Sequence, residues 1–217
     1  MMPVVTIVGS SGSGKTIFIE KLIRQLNIRK HKVGALKHTS HTFEIDSPGK
    51  DSFRLKESGS DIGGIFSPES FVTIRDLSSG VDVERIIFDH FFDSDIVLIE
   101  GYKKSSYPKI LVLSGNPEKD LKRYSDSRLI AVVGDTKIKT DTKFFSKYDI
   151  KGVAEFLEAE FMVDKDRENI DLFVNSKHIK LNDYITKLLK NTITGILKSL
   201  KGVEGDIKDI DIKYRKR

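Results

Sequence analysis

One short stretch near the amino end limits what this chain can become more than any other. Gly9-Ser10-Ser11-Gly12-Ser13-Gly14-Lys15-Thr16 fits G-x-x-x-x-G-K-[ST] at every fixed position. The run before it, Val4 to Val8, is apolar and β-branched and reads as a buried strand. After it, Ile17, Ile19, Leu22, Ile23 and Leu26 recur at helical spacing. Strand, glycine-rich turn and helix, in that order, are the context the pattern requires. Glycines let the main chain curl until successive N–H groups point at an anion. The first turn of the helix adds unpaired donors and the positive end of its dipole. A lysine ammonium then reaches the outer phosphates as a point charge, and a threonine hydroxyl is a hard oxygen ligand suited to Mg²⁺. Gly9, Ser11, Gly12, Ser13, Gly14, Lys15 and Thr16 are therefore the expected nucleotide-phosphate set, with Thr16 also a metal ligand.

The rest of the chain supplies a frame for such a loop. Lys32 to Leu36 is a second short strand, and Lys37 to Gly63 is a polar stretch with a short helix around Asp51 to Glu57. Gly64 to Phe66 and Phe71 to Ile74 read as strands, Val81 to Phe92 as a helix, and Asp95 to Ile99 as a strand. Lys109 to Leu113 and Leu129 to Val133 are further buried strands, and Ile150 to Glu160 is a helix. Strands alternating with helices predict an α/β fold of the P-loop NTPase kind, a mostly parallel sheet flanked by helices.

After Met162 the composition changes. Residues 163–169 are polar and read as a linker, which divides the chain into a nucleotide-binding domain over 1–163 and a small extension over 164–217. In the extension, Asp171 to Val174 and His178 to Leu181 flank a turn, and Asn182 or Asp183 caps a helix. That helix carries the stripe Ile185, Leu188, Leu189, Ile193, Ile196, Leu197 and Leu200, with Gly202 as its stop. Ile207 to Ile212 alternates like a strand, so the expected appendage is a β-β-α-β, α+β unit.

Composition narrows the function classes. Of 217 residues, 38% are hydrophobic and 32% charged, which supports a true core and excludes a disordered chain. Cysteine is absent, so disulfides, thiolate metal sites and cysteine nucleophiles are excluded. No apolar run approaches the roughly 18 residues of a membrane span. The first residues lack the basic and long apolar regions of a signal peptide, and the expectation is a soluble, cytoplasmic protein with no membrane partner. The net charge is +5, but acidic and basic residues interleave until the tail Lys213 to Arg217, so nucleic acid is not an expected partner.

A phosphate loop needs a carboxylate for the metal shell at the end of a neighbouring strand. Glu100 supplies one, at the carboxyl end of Ile96-Val97-Leu98-Ile99 and followed by Gly101, where ligands bind in open α/β sheets. The polar stretch beyond the second strand is the other concentration of chemistry. It brings Lys37, His38, His41, Asp46, Lys50, Asp51 and Arg54 close together in sequence and reads as a switch-like segment. Asp46 is a candidate Mg²⁺ partner, while Lys37, Lys50 and Arg54 are candidates to meet phosphate. His38 and His41 suggest a metal pair, but no third soft ligand accompanies them.

Here the sequence resembles a known family. GSSGSGKT, GALKHTSHTFEIDSPGKDSFR and IVLIEGYKK together are similar to the MobB family, the GTP-binding adapter proteins of molybdopterin guanine dinucleotide biosynthesis. The resemblance runs from about residue 3 to residue 160. Its K-H-x-x-H-x-F-x-x-D-x-x-G-K-D-S-x-R string is more specific than the phosphate loop. It implies a P-loop fold, a homodimer, GTP binding with Mg²⁺ and slow hydrolysis. It also implies a MobA-type guanylyltransferase as partner, with molybdopterin as a further ligand. Carried over by position, Gly12 to Thr16 hold phosphates, Thr16 and Glu100 hold Mg²⁺, and Asp46 with Gly49, Lys50, Asp51 and Ser52 belongs to the family's own loop.

A guanine-reading N/T-K-x-D motif is expected after the last core strand. Thr136-Lys137 is present, but the aspartate arrives late, at Asp141. Asp135 is the alternative acceptor for the guanine N1–H and N2–H₂ edge, and preference for GTP rests on the resemblance. No arginine finger or water-positioning residue stands out beyond Arg54 and His41, which suits a slow GTPase. Two other classes remain open on the residues alone: a small-molecule kinase with Asp46 or Asp51 as base, and an interaction module with a vestigial loop.

Overall fold

The computed structural model describes residues 2–43, 45–77, 83–162, 170–175, 177–203, 205, 207, 210 and 212. The chain divides into two compact units, Met2–Lys165 and Asp166–Arg217. The larger unit runs β1 (Val4–Val8), α1 (Lys15–Ile28), β2 (Val33–Lys37), α2 (Asp51–Glu57), β3 (Ile62–Phe66), β4 (Phe71–Arg75) and α3 (Val83–Phe91). It continues with β5 (Ile96–Glu100), β6 (Lys109–Val112), α4 (Pro117–Tyr124), β7 (Leu129–Gly134), β8 (Lys143–Ser146) and α5 (Ile150–Phe161).

Six of these strands form one parallel sheet in the order β2-β5-β1-β6-β7-β8. Side chains alternate across a strand, so an apolar run can serve cores on both faces at once. Val5, Ile7, Ile96 and Leu98 face one core, where they meet Phe18, Ile19, Leu22 and Leu26 of α1 and Val153, Ala154 and Leu157 of α5. Val4, Val97 and Ile99 face the other and pack with Ile87 of α3. Val8, Leu111 and Val132 share a third cluster with Tyr124 of α4. Each fully buried Leu or Ile stabilises the fold by about 1.5–3 kcal/mol. Among the described residues, no helix is long and apolar enough to cross a membrane.

Two elements exceed the sequence reading. Helix α4 has few apolar residues, but its start is signalled: Asn116 Oδ1 accepts the Lys119 N–H at 3.1 Å, and Pro117 opens the first turn. Strand β8 is a four-residue edge strand whose Phe145 enters the α5 core. The two strands expected after Gly63 do form, but they pair only with each other, as an antiparallel hairpin with Phe66 opposite Phe71. The expected helix start at Val81 lies outside the described residues.

In the smaller unit, β9 (Leu172–Val174) and β10 (Lys177–Ile179) form an antiparallel pair, and α6 (Asp183–Lys198) follows. Asn182 caps α6 by accepting the Ile185 N–H at 2.9 Å. The helix ends at Ser199, ahead of Gly202, because its last carbonyls are met by the Ser199 and Leu200 N–H groups. Half of the expected strand over Ile207 to Ile212 lies outside the described residues, as do all of 163–169 and the basic tail.

At the amino-terminal rim of the sheet an ion cluster ties α1 to α5. Arg29 Nε donates to Glu158 Oε2 at 2.7 Å, and the buried His31 places Nε2 at 2.5 Å from Glu158 Oε1. The hydrogen bond from Arg29, then that from His31, holds the Glu158 carboxyl at about 2, with burial opposing. A carboxylate lowered in the folded state adds stability that is present above its ordinary value and is lost as pH falls through the lowered one. Glu158→Gln is expected to cost about 1.5–3 kcal/mol of unfolding free energy at neutral pH, read by urea titration. The gap to the parent protein should close as pH falls from 4.5 towards 2. A gap that stays constant over that window would contradict the assignment.

Candidate functional site

The phosphate loop leaves β1 at the centre of the sheet, between β5 and β6. This is where chain order reverses, and it leaves a crevice outside the carboxyl ends of the strands. Only glycine fits at the loop's first position. A Cβ on Gly9 would stand 2.4 Å from the Val112 carbonyl oxygen and 2.8 Å from Ser13 Oγ. Gly14, at φ 85°, turns the chain into α1 in the left-handed conformation that L side chains resist. The Ser13 N–H donates to the Ser10 carbonyl at 3.2 Å and closes the turn.

That turn leaves donors unmet. Helix α1 has no side-chain cap and no acidic residue in its first turn. The first N–H groups of a helix have no internal partners, so they stay available to an anion. Ser13 Oγ is buried and has no hydrogen-bond partner among the described residues. A buried hydroxyl in that state costs free energy until a ligand meets it. Lys15 Nζ donates to the Ser10 carbonyl at 2.7 Å. Burial pushes the Lys15 ammonium below the usual lysine value, while the carboxylates of Glu100 and Asp120 pull it back up.

The second carboxylate arrives from β5. Register sets Ile7 opposite Glu100 on one side and Lys37 opposite Glu100 on the other. Thr16 Oγ1 donates to Glu100 Oε2 at 3.0 Å, and Lys37 Nζ lies 3.8 Å from Glu100 Oε1. A hydroxyl and a mostly buried carboxylate in contact, beside an exposed ammonium, form an oxygen donor set that suits a hard divalent cation. Gly101, at φ 86°, turns the chain away at once, and its N–H returns to the Ile7 carbonyl at 2.9 Å. His38 follows Lys37 and stacks on Tyr102 with ring centres 4.7 Å apart.

The remaining expected residues are not drawn into this cluster. Asp46 Oδ1 accepts the N–H of its neighbour Ser47 at 2.9 Å, and no bond joins it to Thr16 or Glu100 among the described residues. The His41 N–H donates to Thr39 Oγ1 at 3.2 Å, and no cluster of three or more His, Asp or Glu able to hold a metal occurs among the described residues. Gly49 adopts φ 92° ahead of α2, with Lys50 as the cap residue. Asp51 and Arg54 form an exposed pair at 3.6 Å, and Ser52 is half-buried in the first turn of α2. Asp135 stands just beyond β7, exposed and bonded to Lys147 Nζ, whose ammonium it raises above the ordinary lysine value.

One residue at the loop escaped the sequence reading. Asp120, in the first half of α4, is buried. Its Oδ1 accepts from Ser10 Oγ at 2.5 Å and its Oδ2 from the Ser114 N–H at 2.6 Å. Burial acts to raise its carboxyl, but these two donors and Arg123 outweigh burial and hold it below the usual range. The signal that points to it is Asn116-Pro117, a helix start just after β6.

The MobB family model, described as Molybdopterin guanine dinucleotide synthesis protein B, matches residues 4–135. A molybdopterin-guanine dinucleotide biosynthesis adapter protein of Haemophilus influenzae is 33% identical, over 72% of this chain and 88% of its own. A relative in Methanocaldococcus jannaschii is 24% identical and covers 94% of both chains, which takes in most of the residues after 163. The crystal structure of Bacillus subtilis MobB is similar with a TM-score of 0.61 at 26% identity, over 74% of this chain and 98% of that one. With a phosphate loop, a facing strand-end glutamate and a family match that spans both, this chain belongs to the MobB family.

Proposed function

We propose that this chain is a GTP-binding adapter of molybdopterin guanine dinucleotide biosynthesis. The observation that carries the nucleotide is the set of unmet donors at the loop: a buried, partnerless Ser13 hydroxyl ahead of a helix with no side-chain cap. On this reading Gly9, Ser11, Gly12, Ser13 and Gly14 line the phosphates with main-chain N–H groups. The Ser13 hydroxyl adds a donor, and Lys15 gives up the Ser10 carbonyl for the outer phosphate oxygens. Thr16 and Glu100 hold Mg²⁺, with Asp46 joining if its segment closes. Mg²⁺ held by Thr16 and Glu100 would supply positive charge to offset the negative charge of the phosphate oxygens.

Asp135 is proposed to accept from the guanine edge, positioned by Lys147. Hydrolysis is slow on this reading, because Arg54 pairs with Asp51, the His41 N–H with Thr39, and among the described residues neither bonds to Lys15 or Thr16. Slow turnover suits a protein that presents a nucleotide to another enzyme. Family membership and the similarity to the Haemophilus influenzae adapter protein support the adapter assignment. The partner is then a MobA-type guanylyltransferase, with molybdopterin as the acceptor the assembly must also meet. The work belongs in the cytoplasm, where nucleoside triphosphates are held.

We further propose a homodimer. The β3–β4 hairpin lies outside the main sheet, and Phe66 and Phe71 are 84% and 69% exposed. A two-stranded hairpin with apolar side chains in water is marginal alone and gains from a second apolar surface. The charge-neutral hairpin of a second copy meets that need.

Two outcomes test this reading. Calorimetric titration with GTP and ATP, with and without Mg²⁺, is expected to show Mg²⁺-dependent binding that favours GTP. Lys15→Ala should abolish it without changing the circular dichroism, and Asp135→Ala should reduce the preference for GTP. Unchanged affinity in Lys15→Ala would refute the site. Sedimentation of the full chain should give twice the single-chain mass, and Phe66→Ser with Phe71→Ser should halve it. A single-chain mass for the parent would rule out the dimer.

A further inference from the structure

Three serines sit in the phosphate loop, and their hydroxyls stand differently. Ser13 Oγ is buried without a partner, whereas Ser10 Oγ is spent on the Asp120 carboxylate at 2.5 Å. Ser10 is also engaged at its other polar end. Its carbonyl oxygen receives both the Ser13 N–H at 3.2 Å and the Lys15 ammonium at 2.7 Å. One residue is therefore gripped from α4 on one side and holds the two groups that face a phosphate on the other.

We infer that Asp120 is a positioning residue of the phosphate loop, acting through Ser10 to fix where the Lys15 ammonium and the Ser13 amide stand. This rests on the triphosphate reading for its ligand, but the clamp itself is a property of the ligand-free protein. Asp120 is 1% exposed and has both oxygens occupied, so it does not meet the nucleotide itself. Its partners come from two separate segments, the turn after β1 and Ser114 beyond β6. A carboxylate that accepts from both fixes the distance between them, and charge-assisted bonds of this kind are about twice as strong as neutral ones. Its negative charge also acts on Lys15 through the loop, in the same sense as Glu100 from the opposite side. The loop thus rests between two carboxylates, one in contact with Thr16 for the metal and one in contact with Ser10 for the frame.

The test uses the full chain with Ser10→Ala, Asp120→Asn and the double variant. In amide NMR spectra without ligand, both single variants should shift Gly12, Ser13, Gly14 and Lys15 in the same directions. Each should bind Mg²⁺–GTP about tenfold more weakly, as expected for one lost charge-assisted bond. The double variant should be no weaker than Asp120→Asn alone, because the Ser10–Asp120 bond is already lost in that variant. Shifts in Asp120→Asn confined to residues 114–124, with parent-like GTP affinity and only a lower melting temperature, would reduce Asp120 to a structural role and overturn the inference. If Asp120→Asn does not fold, Ser10→Ala decides alone, and parent-like amides and affinity there overturn it. If the parent binds no GTP, the function reading fails, while the ligand-free amide shifts still decide the clamp.

Discussion

Everything at this site depends on a close passage of main chain between strands. The turn after β1 runs so near the Val112 carbonyl that a methyl group at Gly9 would collide with it. That passage is forced by the sheet. β1 is flanked by β5 and β6, so the loop must rise between their ends before α1 can cross to β2. The turn closes through the Ser13 N–H at the Ser10 carbonyl, and the first N–H groups of α1 follow it without partners inside the helix, beside a lysine and a threonine. The donor array proposed to meet phosphate is therefore a by-product of the topology, and the side chains refine it.

The refinement comes from three directions. β5 delivers Glu100 to Thr16 because the parallel register fixes Ile7 and Glu100 side by side. β2, at the sheet edge, delivers Lys37 to the other oxygen of that carboxylate. α4 delivers Asp120 from below the loop's first serine. Each is held by an element that is buried or hydrogen-bonded for its own reasons, so the groups are positioned before any ligand arrives. Organisation of that kind lowers what binding must spend on ordering.

Much of this was legible in the residues. The strand, loop and helix from Val4 to Leu26 were readable because apolar runs, glycines and helical spacing agree there. Glu100 is readable because it stands at the carboxyl end of an apolar strand, where ligands bind in open α/β sheets. The hairpin strands were visible, but their separation from the main sheet was not, since strand pairing is a long-range property that local pattern does not carry. Helix α4 was overlooked because apolar periodicity is weak in eight mostly charged residues, and its cap signal at Asn116-Pro117 outweighs its hydrophobicity. Asp120 went with it. Its role depends on Ser10, which lies 110 positions away in sequence. Asp46 and the His38–His41 pair stand out by residue type, by spacing and, for Asp46, by the family loop; in the structure Asp46 and His41 take part in local turns and His38 stacks on Tyr102.

The cluster of Arg29, His31 and Glu158 occupies the rim of the sheet opposite the loop. Its location separates durability from recognition. A lineage living in hotter or more acid surroundings is free to rework those contacts, exchanging ions for hydrocarbon or adding partners, while the crevice keeps its selectivity. Longevity and selectivity can then drift independently within one small domain, since among the described residues no hydrogen bond or ion pair joins Arg29, His31 or Glu158 to the phosphate loop.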